Sequence, residues 1–152
     1  MRAATAVDAS SLGAVLRQST WMFAAMEVVH LLGLALLLGT TLAVDLRLLG
    51  AALRDQPVAA VAEGTRRWNT AGLLVMVGSG ALLAAAEPLK LAASPPFAIK
   101  MALLSAAILY TYTVQRLIVR RPTPAFVARA SAIVSLTLWF GVALAGRTIA
   151  FY

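Results

Sequence analysis

The sequence predicts an all-α integral membrane protein, a four-helix bundle of antiparallel spans, and three observations predict it. Hydrophobic residues make up 61% of the chain and charged residues only 12%, against roughly 45–50% apolar in a soluble domain. Four apolar runs, each close to the roughly 20 residues a helix needs to cross a bilayer, together with short loops nearly exhaust the 152 residues. The prolines and most of the arginines fall between the runs, where helices stop and loops anchor. A single transmembrane domain over residues 1–152 leaves no room for a separate soluble one.

The first span is read over 21–44, WMFAAMEVVHLLGLALLLGTTLAV. The second covers about 68–86 and is broken by Glu87-Pro88, because proline cannot continue the hydrogen-bond ladder. Ser94 followed by Pro95 and Pro96 reads as an N-cap with proline in the first turn, and the third span runs over 97–119. The fourth follows Pro122 and Pro124, covers 126–145 and ends at Gly146. Ahead of them, residues 9–18 predict a short interfacial amphipathic helix with Leu12, Val15 and Leu16 on its apolar face. The first twenty residues lack the compact apolar core of a cleaved signal peptide.

Thirteen Lys and Arg against six Asp and Glu give a net charge of +7. In a membrane chain that excess reports orientation and contact with lipid headgroups, not nucleic-acid binding. Arg47, Arg54, Arg66, Arg67, Arg116, Arg120, Arg121 and Arg129 lie on one side, and Arg2, Arg17, Lys90, Lys100 and Arg147 on the other. The positive-inside rule then places both termini outside the cytoplasm of a bacterial inner membrane. Cysteine is absent, which excludes disulfides, iron–sulfur clusters and thiolate metal sites. Gly33 and Thr40, Gly72 and Gly80, and Ser131 and Ser135 are small residues suited to close helix approach.

Glu27 and the single histidine, His30, interrupt the first span. Three residues apart, they lie about 60° apart around a helix and one turn apart along it. The same stripe continues through Leu34, Leu37, Thr41, Asp45 and Leu48, so it is expected to face the bundle interior and not lipid. His30 falls ~4 Å from the midplane of the run. Antiparallel topology puts Lys100 at about the depth of Glu27, with Arg147 and Glu87 at the same end, and a Glu27–Lys100 pair is expected. At the opposite edge, Asp45, Arg47, Arg66, Arg67 and Arg129 are expected to form an interfacial ion network, with Asn69 within reach.

Glu27 and His30 admit three readings: a structural pair fixing helix register, a haem or metal ligand, or a proton relay. One ExxH is too little for a di-iron bundle, which needs two and further carboxylates. Met22 and Met26 lie near His30, but a copper site would want more histidines or a methionine cluster. Haem needs one imidazole and a flat apolar slot, for which the glycine-lined second span is a candidate. Its other axial position can be open, filled by Met or Lys, or supplied by a second subunit.

A tryptophan and a histidine within an apolar first span, and FxxK at the start of a later one (Phe97 to Lys100 in PPFAIKMALL), carry a resemblance. The chain resembles the small bacterial membrane proteins that include copper-resistance D-type proteins, and is similar to the small membrane-type protoporphyrinogen oxidase. DLRLLG, Asp45 to Gly50, is nearer to uncharacterised members of that group. The resemblance implies haem b with His30 as axial ligand and Lys100 handling substrate or propionates. The expectation drawn from both lines is a haem b protein with an electron-transfer or porphyrin-related redox role. Glu27 would orient His30 or take its proton, and Lys100 or Arg147 would neutralise propionates. A non-enzymatic accessory or transport subunit with a structural or proton-carrying Glu27–Lys100 pair is the alternative. Expected partners are the lipid bilayer, a redox protein or a second copy of the chain.

Overall fold

The computed structural model describes residues 18–151. Helices α1 (Thr20–Leu49), α2 (Val58–Ala86), α3 (Pro88–Ala92), α4 (Pro95–Tyr110), α5 (Arg116–Arg120) and α6 (Ala125–Thr148) follow in order, with a π-helical turn, Thr111–Gln115, joining α4 to α5. Four helices are long and apolar enough to cross a membrane: α1, α2, the continuous run Pro95–Arg120, and α6. The chain is an all-α, multi-pass membrane protein. The interfacial helix expected at residues 9–18 lies, apart from Gln18, outside the described residues.

The helices exceed the predicted spans at their ends for identifiable reasons. α1 continues to Leu49 and stops where Gly50 takes a positive φ of 73°. There the Ala51 amide bonds to the Leu46 carbonyl at 2.9 Å and the Gly50 amide to that of Arg47 at 3.1 Å, the paired bonds of a Schellman stop. α2 starts at Val58, ahead of the expected residue 68. The Ala60 and Val61 amides bond back to the Pro57 carbonyl, and the first turns are alanine-rich with a Glu63–Arg66 pair at 3.0 Å. Good helix formers carry the helix beyond the apolar run. At Ser94 the expected cap is not made: its hydroxyl is buried without a hydrogen-bond partner. Pro96, at the second helical position, has no N–H, so one of the two donors a capping oxygen would use is missing.

Packing inverts the pattern of a soluble protein. Trp21, Leu31, Leu32, Leu74, Leu109, Phe126 and Leu144 are exposed, while Thr41, Asp45, Ser79, Gln115, Ser131 and Ser135 are buried. Polar side chains turned inward while many large apolar ones face outward is the arrangement a lipid solvent selects.

The described residues form two packed units. The first holds α1 up to Leu37 with Thr70–Ser94. Its helices meet at glycine: a Cβ on Gly33 would lie 2.8 Å from the Met76 amide nitrogen, and one on Gly72 would lie 2.7 Å from that of Leu37. The second holds Leu38–Asn69 with Pro95 onwards. It is a four-helix arrangement around Leu48, Val61, Leu104, Ala107, Ala132, Trp139 and Val142.

Candidate functional site

In the first unit, Gly33 at the helix contact sets which face of α1 turns toward α2. Residues 26, 30, 33 and 37 fall on that face at the 3–4 spacing of a helix, so His30 is half-buried and Glu27, about 100° round from Met26, is exposed. The imidazole sits over Gly80, where a Cβ would come within 3.0 Å of His30 Cε1. Its Nδ1 lies 3.0 Å from Ser79 Oγ, and that hydroxyl donates to the Val75 carbonyl at 2.5 Å.

Which ring nitrogen donates depends on the tautomer. With Nδ1–H, the Ser79 oxygen accepts from the ring while its own proton goes to Val75, and the lone pair is on Nε2; with Nε2–H, Ser79 donates to Nδ1 instead. The expected glycine-lined slot is not an opening between α1 and α2. Gly33 and Gly72 are taken up by backbone contact, and Gly80 by the imidazole edge.

Lys100 belongs to the second unit, where its stem and ammonium lie 3.5 Å from the position of a Cβ on Gly146 of α6. Next along α6, the Arg147 guanidinium stacks over the Phe151 ring at 5.4 Å. The structure therefore brings Lys100 to the end of α6 that carries Arg147. Glu27 and Lys100 lie in different units.

The arginines expected around Asp45 are engaged elsewhere. Arg47 Nε donates to the Gln56 carbonyl at 2.6 Å, Arg66 pairs with Glu63, Arg67 lies over the Trp68 ring at 5.2 Å, and Arg129 is exposed. Asp45 itself is fully buried. Helical register explains it: the stripe Leu37, Thr41, Asp45, Leu48 is the buried face of α1, and Arg47 stands about 200° away from Asp45. Gln115 Nε2 donates to Asp45 Oδ1 at 2.5 Å, and Ser135 Oγ to Oδ2 at 2.8 Å.

One turn back along α1, Asn69 Nδ2 donates to Thr40 and Thr41 at 3.0 and 2.9 Å, and the Tyr112 hydroxyl donates to Asn69 Oδ1 at 3.1 Å. Asn69 thus bonds to threonines of α1 and to Tyr112. Tyr110 donates to Ser131 Oγ at 3.0 Å, and Trp139 Nε1 donates to Thr111 Oγ1 at 3.1 Å. Consecutive residues 110, 111 and 112, with 115, all reach other helices because the π turn spreads side chains that a regular helix would stack.

Ser79, Tyr112 and Gln115 were missed from sequence. Their signal is polar groups inside apolar runs, most densely TYTVQ at 111–115. No group of three or more His, Asp and Glu that could hold a metal ion occurs among the described residues. A hollow bounded by Leu38, Leu42, Leu136, Trp139 and Phe140 is lined by apolar side chains apart from Thr41.

No curated protein and no solved structure matches the chain. A family model does, over residues 5–152, and the chain belongs to that family, DUF6644, a family of unknown function.

Proposed function

We propose that His30 is the axial ligand of a haem b and that the protein has an electron-transfer or porphyrin-related redox role in a bacterial inner membrane, with both termini outside the cytoplasm. The observation that carries this reading is the Ser79 contact. A histidine ligand to a metal has its other ring nitrogen donated to an oriented acceptor, which fixes the tautomer and ring direction. The Nδ1–H tautomer of His30 would have that arrangement toward Ser79, with Nε2 as the ligating nitrogen. The donor chemistry would suit one ligand to the iron; the porphyrin would have to lie outside the α1–α2 contact, which Gly33, Gly72 and the imidazole edge at Gly80 close. When bound, haem supplies one-electron redox chemistry at its iron. Ser79 would hold the ring, and Glu27, exposed one turn earlier, would orient it or take its proton. Lys100 and Arg147 enter as propionate partners through the sequence alone, as does the resemblance to copper-resistance D-type proteins and the membrane-type oxidase.

The test is the absorption of the purified chain after expression with added haem. A Soret band that disappears in His30→Ala supports the assignment. No band, or one indifferent to that substitution, removes it.

A second reading, a non-enzymatic accessory or transport subunit, is favoured by the extent of the buried polar network of the second unit. It expects no Soret band and a stably folded His30→Leu variant.

A further inference from the structure

Asp45 is a carboxyl with no exposure to solvent, and both its oxygens are bonded to neutral groups. Buried charges are ordinarily paired, and inside a membrane span an ionisable residue marks an ion or proton site by default. Among the described residues, the nearby charged and titratable groups of the packed helices have other positions. On α1, Arg47 bonds to Gln56. On α2, Arg66 pairs with Glu63, Arg67 lies over Trp68, and Asn69 is neutral. On the third span, Tyr110 and Tyr112 donate to Ser131 and Asn69, and Arg116 is exposed. Lys100 lies against Gly146 at the far end of that span, and on α6 Arg129 is exposed and Arg147 covers Phe151.

We propose that Asp45, held by Ser135 and Gln115, is a proton-binding site of the second unit. The chemistry of the two partners supports a proton over a metal cation. Gln115 presents N–H and Ser135 presents O–H toward the carboxyl, and donors aimed at a site repel a cation. A proton, by contrast, can come and go without moving a heavy atom. With Asp45 ionised, Ser135 donates to Oδ2. With Asp45 protonated on Oδ2, that oxygen donates to Ser135 Oγ, and the serine proton turns away, since a hydroxyl both donates and accepts. Gln115 Nε2 donates to Oδ1 in either state. Gln115 is the last residue of the π turn, an irregularity that recurs at functional sites. The inference stands whether or not His30 holds haem, because it uses residues of the second unit alone.

The experiment is infrared difference spectroscopy of the full-length protein in lipid nanodiscs between acidic and alkaline buffers, for wild type, Asp45→Asn and Ser135→Ala. The expected result is a protonated-carboxyl carbonyl band that changes with pH, is missing in Asp45→Asn and is shifted in frequency in Ser135→Ala. Superposable wild-type and Asp45→Asn difference spectra would overturn the proposal. So would a band that responds to sodium at constant pH, which would assign the site to a metal cation. Should Asp45→Asn fail to fold, Ser135→Ala decides: an unshifted band contradicts the proposal.

Discussion

At the level of single residues, His30, Asp45, Asn69, Tyr110, Tyr112 and Gln115 each meet a specific polar partner on another helix. His30 is one case: its Nδ1 lies within hydrogen-bond distance of Ser79 Oγ, which also reaches the Val75 carbonyl. Ser79→Ala should therefore release the ring at modest cost, about 0.6 kcal/mol and not above ~2, the range of interhelical hydrogen bonds in membranes. Thermal unfolding in detergent measures it, and a loss beyond that range would mean Ser79 does more than orient the imidazole. Gln115→Ala is the harsher change. It leaves a fully buried Asp45 with Ser135 as its remaining partner, and a buried polar atom deprived of a bond costs ~1–3 kcal/mol. A Gln115→Ala protein as stable as wild type would show that the bond to Asp45 contributes little.

Among the helices, close approach in the first unit rests on two glycines. A Cβ at Gly72 meets Leu37 backbone at 2.7 Å and one at Gly33 meets Met76 backbone at 2.8 Å, and backbone cannot swing aside as a side-chain end can. Gly72→Ala should force α1 and α2 apart and destabilise by ~1–3 kcal/mol, as overpacking does. Gly78→Ala, with nothing within 4 Å of its Cβ position, should be neutral or slightly stabilising on helix propensity. Equal unfolding temperatures for the two variants would refute the contact.

The four spans could be read from the sequence, since hydrophobic runs and proline stops depend only on composition and local chemistry. So could the buried stripe of α1 from Leu37 to Leu48, because helical periodicity is local. Three features depended on neighbours. Glu27 fell outside the contact face because Gly33 chose that face. Asp45 turned out to meet Gln115 and Ser135, not the arginines closer to it in sequence, because partners on other helices cannot be ranked by sequence distance. The π turn, which lets Tyr110, Thr111, Tyr112 and Gln115 serve separate helices, follows no α-helical period. Its polar run was nevertheless visible as TYTVQ inside an apolar span.

At the scale of the whole molecule, exposed leucine, phenylalanine and tryptophan around buried serine, threonine and aspartate make this a protein whose solvent is lipid. The arginine asymmetry predicts its orientation. The chain has no cysteine, so Gln56→Cys, in the loop after α1, and Glu87→Cys, at the end of α2, can be made without further change. In intact bacterial cells an impermeant thiol reagent given access to the periplasm should label the second and spare the first. The reverse pattern would invert the topology. The functional proposal is tested most directly by the reduced-minus-oxidised absorption spectrum of the wild-type protein purified after expression with added haem. The account predicts haem b bands that are lost in His30→Ala. A correctly folded wild-type protein with no haem absorbance would contradict it.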